Sequence, residues 1–309
     1  MLYEYAVDPK TVGASWENFR YLIEKFGFDK GRLISWFPGS WCREVFDTAK
    51  ASDMKTIQLQ RVTEKLSRAE RYALVRNNRK YRPDLGSWLP NVLSQHNENP
   101  FRAIITSENP SGLDVVLLID DLDEQHPLFA ADVSWAASRS AKGIAQDLRL
   151  FLVASKEIVI IDPFIDLRKH GTDYTGPLKE MFSVMTAAGR TGVKIELHFR
   201  TDPERPPIQL VQRDARRWLD GVIPGGCMVE LYEWQKDLRL HDRAVVSERG
   251  GIGSGAGFGT LAVNAELNLS LLALNDSSER MRLHRPANNL LKLAQPVVRV
   301  LSDGTVLVL

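Results

Sequence analysis

The sequence predicts an α/β protein with two domains, and three observations support this prediction. With 309 residues, the chain is longer than a single hydrophobic core usually spans. In its second half, apolar stretches of strand length alternate with stretches of helical period, which is typical of a sheet covered by helices. An acidic, turn-like run at 119–127 separates the two halves. We therefore predict an N-terminal domain over 1–130 and a C-terminal domain over 138–309.

The N-terminal domain is predicted to be the smaller one, with an α/β or α+β fold. Ser15 is a suitable N-cap for its first helix, and Gly27 is a suitable end. The turn residues Asn109-Pro-Ser-Gly112 lie between two apolar strands, which we expect to pair as a hairpin. The predicted elements are helix 16–26, strand 32–37, helices 40–50 and 54–75, and strands 101–106 and 113–119.

The C-terminal domain is predicted to be a mixed sheet flanked by helices, because its strands are joined by helix-sized connections. The strands expected in this one sheet are 157–162, 193–199, 228–232, 238–247 and 266–274. The expected helices are 138–154, 175–188 and 207–221, and a hairpin of 296–300 with 305–309 is expected around Asp303-Gly304.

The predicted strand 238–247 carries the most informative residues of the chain. Most of its apolar residues share one parity, whereas His241 and Arg243 share the other. Because side chains alternate along a strand, the imidazole and the guanidinium should project from the same face. A glycine-rich run at 250–259 follows and is expected to be a turn that exposes backbone N–H groups. A cation, an imidazole and such N–H groups together predict a phosphate site.

This stretch resembles the phospholipase D superfamily, whose signature is His-x-Lys-x4-Asp followed by a Gly-Ser step and an asparagine. Here the run is His241-x-Arg243-x4-Glu248, then Gly253-Ser254. It is most similar to the phospholipase D-like C-terminal domain of the MIT-domain proteins and its bacterial look-alikes.

Two further segments carry the resemblance, which covers about residues 139–275. The stretch 154–165 is similar to the family's opening helix-to-strand step. The segment 264–267, Asn-Ala-Glu-Leu, is similar to its downstream segment, where Glu266 would supply an acidic group near the phosphate.

The chain also departs from the family pattern. Arg243 stands in place of lysine, Glu248 in place of aspartate, and Ala256 near the place of the asparagine. Only one copy of the motif is present, although active members use two histidines. His198-Phe-Arg200 starts in the same way, but Arg205 stands where the acid belongs. A complete catalytic centre of this type therefore requires a second copy of the chain, or the site is non-catalytic.

The resemblance implies a function and roles for particular residues. In the family's metal-independent and cofactor-free mechanism, His241 would attack phosphorus, and the same histidine of a second subunit would protonate the leaving oxygen. Arg243 would hold the phosphoryl oxygens with Ser254, Gly253 and Gly255, and Glu248 would orient the site. The leading hypothesis is therefore a homodimeric phosphodiesterase or nuclease acting on nucleic acid. The alternative is a non-catalytic binding module for anionic lipid, nucleic acid or a protein partner.

A comparison with other bacterial proteins extends this hypothesis by analogy only. Proteins that join such a domain to an unrelated, sensor-like half often resemble antiviral defence effectors. We therefore include phage defence, with a partner protein of a defence operon, among the expectations.

The N-terminal domain contains a second candidate for contact with polyanions. Between positions 61 and 82 the chain has eight cations and only two acids. Several of these cations recur at the spacing of one helix face, and aromatic residues lie among them, as on nucleic-acid surfaces. A solvated amphipathic helix would show the same pattern. The candidate nucleic-acid contacts are Arg61, Lys65, Arg68, Arg71 and Arg79.

Composition limits the remaining function classes. A formal net charge of +1 gives no global bias toward nucleic acid or membranes, so a polyanion site must be local. Two cysteines without metal spacing fit a reducing cytoplasm better than a disulfide framework. No signal peptide, transmembrane stretch or metal site is read from the sequence. Asp162 and Asp166, at a predicted strand end, would cap a turn, bind a metal or orient a histidine.

Overall fold

A computed structural model describes residues 1–76, 78–168, 171–204, 208–261 and 265–309, with only the backbone of 208–210. The predicted α/β class is confirmed, because the chain combines helices with one parallel and one mixed sheet. It divides into two compact units, Met1–Val133 and Ser134–Leu309. Asn264 and Arg205, two positions used in the comparison with the family pattern, lie outside the described residues.

The N-terminal unit contains a five-stranded sheet with the order β3-β2-β1-β4-β5, in which all neighbouring strands are parallel. Its strands are Tyr3–Val7 (β1), Arg32–Ser35 (β2), Leu74–Val75 (β3), Ile104–Thr106 (β4) and Val116–Leu118 (β5). Its helices are Pro9–Gly13 (α1), Trp16–Lys25 (α2), Trp41–Ala51 (α3), Thr56–Tyr72 (α4) and Trp88–Glu98 (α5). The Ser15 hydroxyl accepts the N–H of Asn18 at 3.1 Å, as its N-cap position predicts.

The predicted hairpin of 101–106 with 113–119 is wrong. Strands β4 and β5 are parallel, with Ile104 opposite Val116. The Asn109 side chain closes a tight loop by accepting the N–H of Leu113 and donating to its carbonyl. Because the two strands are parallel, the connection 107–115 as a whole returns to the end of the sheet where β4 began. Both strands are largely buried, as is typical of parallel sheets.

The C-terminal unit contains a nine-stranded mixed sheet with the order β14-β13-β9-β8-β7-β10-β11-β12-β6. Its strands are Ser134–Ser138 (β6), Ile158–Ile161 (β7), Lys194–Arg200 (β8), Met228–Trp234 (β9), Ala244–Ser247 (β10), Gly250–Ser254 (β11), Glu266–Leu271 (β12), Val298–Leu301 (β13) and Val306–Val308 (β14). Its helices are Ala141–Asp147 (α6), Arg149–Ala154 (α7), Thr175–Ala187 (α8), Ile208–Trp218 (α9) and Leu274–Leu283 (α10).

The strand pairing of this sheet confirms two predictions. The five expected strands all contribute to the one sheet, and β13 pairs with β14 as the expected closing hairpin. Strands β7, β8 and β9 are parallel to each other, whereas the remaining neighbours are antiparallel. The carboxyl ends of β7 and β8 therefore lie at the same edge of the sheet as the start of β10.

The predicted strand 238–247 is wrong in its first half, because β10 begins only at Ala244. Residues 238–241 form a turn that Asp237 organises by accepting the N–H of Arg239 on its side chain and that of Leu240 on its carbonyl. Leu240 is buried beside Trp234, whereas Leu238 is 95% exposed. His241 and Arg243 therefore do not share one face of a strand.

The glycine run is also not the turn that the sequence predicts. Its first half is β11, which pairs with β10 and is buried along its whole length. A β-carbon at Gly251 would lie within 3.0 Å of Val246, Leu272 and Ser277 side-chain atoms. Glycine is needed here because side chains of neighbouring elements pack directly on the strand backbone. Only residues 255–259 form a loop.

Within the residue ranges that the structure describes, no helix is both long enough and apolar enough to cross a lipid bilayer.

Candidate functional site

His241 lies in the turn before β10, with 71% of its side chain exposed. Its Nδ1 is 2.7 Å from the carbonyl oxygen of Leu238. A carbonyl can only accept, so Nδ1 donates and the neutral imidazole keeps its lone pair on Nε2. Nε2 lies 3.5 Å from a carboxylate oxygen of Asp242. This is the tautomer that a histidine needs in order to act as a nucleophile or base through Nε2.

His241 lines an open pocket of about 370 Å³ between this turn and α10. Asp242 and Arg280 also line the pocket, and they form an ion pair. At its wall lies His284, which is only 4% exposed and whose Nδ1 donates to the carbonyl of Arg280. Within the described part of the chain, His284 Nε2 has no hydrogen-bond partner. Burial, together with the neighbouring His198, lowers the pKa of His284 to about 3, so this imidazole is neutral at pH 7.

Arg243 has different surroundings from His241. Its guanidinium donates to the carbonyl of Gly255 at 2.6 Å, and its Nε lies 3.7 Å from the carboxylate of Asp162. It also lies over the ring of Phe164, with 4.8 Å between Cζ and the ring centroid. The structure therefore joins Arg243 to the carboxyl end of β7 rather than to the pocket beside α10.

Asp162 is the centre of this second cluster, and its side chain is fully buried. Its carboxylate accepts the hydroxyl of Tyr174 at 2.9 Å and the N–H of Phe164 at 3.0 Å. Burial raises the pKa of the Asp162 carboxyl, although these hydrogen bonds and Arg243 act to lower it. Burial and the neighbouring Asp162 raise the pKa of Tyr174 in turn. Asp166, the other predicted carboxylate, pairs instead with Arg168.

The loop 255–259 is held by two arginines through its carbonyl groups. Arg139 donates to the carbonyls of Ala256 and Gly259, and Arg243 donates to that of Gly255. The N–H of Gly255 points to the Asn268 carbonyl at 3.4 Å.

The other residues expected around a phosphate are engaged within the protein. Gly253 is a buried part of β11. Ser254 donates its hydroxyl to the carbonyl of Gly257 at 2.9 Å and is itself buried. The N–H of Gly255 is also paired within the protein, with the Asn268 carbonyl. The structure therefore does not present Gly253, Ser254 and Gly255 to a ligand as the sequence predicts.

The two acidic residues of the motif lie away from this loop. Glu248 follows the opposite end of β10, where its carboxylate accepts the N–H groups of Lys156 and Glu157 at 2.8 and 3.2 Å. Glu266 is exposed at the start of β12, opposite Ser138 of the edge strand β6. Glu248 therefore fixes the start of β7 and does not orient His241.

His198, the start of the incomplete second motif, is fully buried in a polar network. The indole N–H of Trp234 donates to its Nδ1 at 3.1 Å, so Nε2 carries the proton and donates to Glu196 at 3.2 Å. The ring of Tyr232 stacks on it, with 4.3 Å between centroids. Burial lowers the pKa of His198. Although burial acts to raise the pKa of Glu196, hydrogen bonds from His198 and Lys194 lower it to about 2.

The basic segment of the N-terminal unit is only partly available to a ligand. Arg79 is buried and donates through both Nε and an Nη to the carboxylate of Glu4, which corrects its prediction as a nucleic-acid contact. Lys65 pairs with Glu24 at 2.7 Å. Arg61 and Arg68 are exposed on α4, and the guanidinium of Arg71 lies over the ring of Tyr72.

Sequence reasoning missed several residues that the structure brings to the candidate sites. Tyr174 and Arg139 act on Asp162 and the loop from distant segments, so no local spacing predicts them. His284 is not followed by a cation two residues further on, so the spacing of the motif does not point to it. Among the described residues, no group of three or more His, Cys, Asp or Glu side chains is arranged to hold a metal ion.

Comparisons with known proteins add little to this description. No protein-family model matches the chain, and no curated protein matches it. Among solved structures, the chain is similar to one described as TrmBL2, an archaeal chromatin protein with a novel mode of DNA binding. The sequence identity is 12%, the match covers 53% of this chain and 55% of that one, and the TM-score is 0.27. A likeness this distant carries no argument about fold or function.

Proposed function

We propose that the protein processes phosphodiester bonds of nucleic acid by phospholipase D-type chemistry, as a homodimer that acts through His241. The observation that carries this proposal is the state of the imidazole. Its Nδ1–H is held by the Leu238 carbonyl, and its side chain, 71% exposed at an open pocket, leaves Nε2 as the nitrogen that can react. A histidine nucleophile requires this combination of fixed tautomer and accessible nitrogen.

The proposed reaction has two steps. His241 Nε2 attacks phosphorus, the phosphorus–oxygen ester bond breaks, and the protonated His241 of a second copy gives its proton to the leaving oxygen. Water then attacks the phosphohistidine, the nitrogen–phosphorus bond breaks, and the second histidine takes the proton from that water. We place the reaction in the cytoplasm because both Cys42 and Cys227 are free thiols. A role in phage defence remains an analogy within this proposal.

The test is cleavage of labelled single-stranded DNA and RNA by the purified protein. His241→Ala should abolish cleavage and the trappable phosphohistidine, and it should leave the melting temperature unchanged because the side chain is exposed. His126→Ala, at a half-buried histidine of the N-terminal unit, is the control. Cleavage should survive EDTA. Equal cleavage by wild type and His241→Ala would exclude the proposed nucleophile.

One observation favours a second candidate, a non-catalytic binding module for an anionic partner. Arg243 is engaged by Gly255 and Asp162 rather than turned toward the pocket of His241. A module of this kind would bind phosphodiesters, lipid or protein without cleaving any of them. Retained binding together with no turnover on any phosphodiester would support it over the enzyme.

A further inference from the structure

We propose that Phe164, Arg200 and Arg243 form a clamp for single-stranded nucleic acid at the carboxyl edge of β7 and β8. This inference rests on the proposed function for its nucleic-acid substrate and deepens it by naming the form of that substrate. The three residues come from three separate segments of the C-terminal unit. Their convergence is a property of the sheet and is not visible in the sequence.

The order of the strands explains why the three side chains meet. Phe164 follows the end of β7, and Arg200 ends the parallel neighbour β8. Arg243 immediately precedes β10, which is antiparallel to β7 on its other side. The Cζ atoms of Arg200 and Arg243 lie 4.9 and 4.8 Å from the centroid of the Phe164 ring. One aromatic ring thus holds two guanidinium groups at one edge of the sheet.

A purely structural role explains this arrangement poorly. Phe164 is 40% exposed, so its ring gains less from burial than a core phenylalanine does. The guanidinium groups of Arg200 and Arg243 share this one ring, and Arg243 Nε also lies 3.7 Å from the carboxylate of the fully buried Asp162. The cation–π contacts hold the two cations together at the surface. The arrangement favours an anionic ligand that approaches from solvent.

The chemistry of the clamp favours single-stranded nucleic acid over a phospholipid. Guanidinium groups donate to phosphate oxygens in a forked geometry, which serves either ligand. A guanidinium plane and an aromatic ring are also surfaces on which an unpaired base can stack. Unstacked bases are accessible in single strands and not inside a duplex. A lipid headgroup has no planar base that could stack on the clamp.

The test is fluorescence anisotropy with a labelled 12-nucleotide single strand, titrated at several salt concentrations. Arg200→Ala and Phe164→Ala should each weaken binding by about tenfold, as expected for the loss of one stacking contact. Arg200→Ala should also reduce the slope of log K against log salt by about 0.7, one phosphate contact. Arg200→Lys should keep the slope and lose affinity, because lysine keeps the charge without the stacking plane.

Further variants and ligands distinguish a failure of the clamp from a failure of the proposed catalysis. Phe164→Leu preserves apolar volume and should still weaken binding, and Arg213→Ala, exposed on α9, should change nothing. An unchanged slope in Arg200→Ala, equal binding of the matching duplex, or stronger binding of phosphatidylglycerol vesicles would each overturn the clamp. If His241→Ala binds normally and wild type cleaves nothing, the clamp stands and the catalytic proposal fails.

Discussion

Gly257 and Asp162 approach so closely that no side chain fits at position 257. A β-carbon built on Gly257 would lie 2.2 Å from Oδ2 of Asp162, and the backbone there has a φ of +81°. Both the space and the conformation therefore require glycine. This contact allows the loop 255–259 to close over a buried carboxylate, and it links the glycine run to the end of β7.

Replacing this glycine should destabilise the C-terminal unit. We expect Gly257→Ala to cost about 2–4 kcal/mol in free energy of unfolding, because it adds left-handed strain to a steric overlap. Gly255→Ala is the matched control, since a β-carbon there would meet nothing within 4 Å. Urea denaturation measures both variants. Equal stability of the two would show that the loop does not close on Asp162.

Stability should fall as the pH is lowered below about 6.5, in part through His284. The pKa of His284 is lowered from 6.5 to about 3 by burial, so the unfolded chain binds this proton more readily than the folded one. Above pH 6.5, His284 is neutral in both the folded and the unfolded chain, and its contribution to the unfolding free energy is fully present. Between pH 7 and pH 5, about 2 kcal/mol of the unfolding free energy is lost.

A variant isolates this contribution. His284→Gln should make the dependence of unfolding free energy on pH shallower by about one proton in this range. A His284→Gln curve parallel to wild type would contradict the assignment.

Arg79 should behave as a structural residue. Arg79→Ala leaves Glu4 buried without its forked partner, and we expect a loss of about 3–5 kcal/mol. The double variant Glu4→Gln with Arg79→Met should recover much of that loss, because neither side chain then carries an unpaired charge. Arg82→Ala, exposed in the same segment, should leave the melting temperature unchanged. If Arg79→Ala is as stable as wild type, Arg79 is again a candidate contact for nucleic acid.

The exposed cations of α4 give a separate prediction about nucleic acid. Arg61→Ala combined with Arg68→Ala should weaken binding of all sequences alike and lower the salt slope by about 0.7 for each lost phosphate contact. The loss should add to that of Arg200→Ala, because the residues belong to different units. An unchanged gel-shift titration would leave α4 as a solvated helix face.

Arg243→Lys tests the cation of the motif. It introduces the lysine of the phospholipase D pattern that this stretch resembles, and it loses the guanidinium hydrogen bond to the Gly255 carbonyl. We expect reduced but measurable phosphodiester cleavage, with lower stability of the loop 255–259. Complete loss of cleavage in a folded variant would mean that the forked geometry itself is required.

Local pattern predicted the sheet of the C-terminal unit well, because strand-length apolar runs and helix-sized connections are properties of neighbouring residues. It failed at the turn before β10, where Asp237 and the burial of Leu240 override the alternating pattern. The local pattern also failed at β4 and β5, because the residues that predict a hairpin turn form a short connection between two parallel strands.

The candidate site was predictable only in part, for a related reason. His241 and Arg243 stood out by type and spacing, but their directions depend on a turn that tertiary packing sets. Phe164, Arg200 and Arg243 come together only when β7, β8 and β10 are neighbours. No spacing along the chain encodes that neighbourhood.

The two free thiols make the molecule convenient for spectroscopy. Burial raises the pKa of Cys42 to about 12, and Cys227 is only 3% exposed, so neither should react with maleimide at neutral pH. A single cysteine introduced at the exposed Leu238 would therefore carry one fluorophore beside His241, on an otherwise unlabelled chain. Such a reporter would follow the arrival of a ligand in real time, without any turnover.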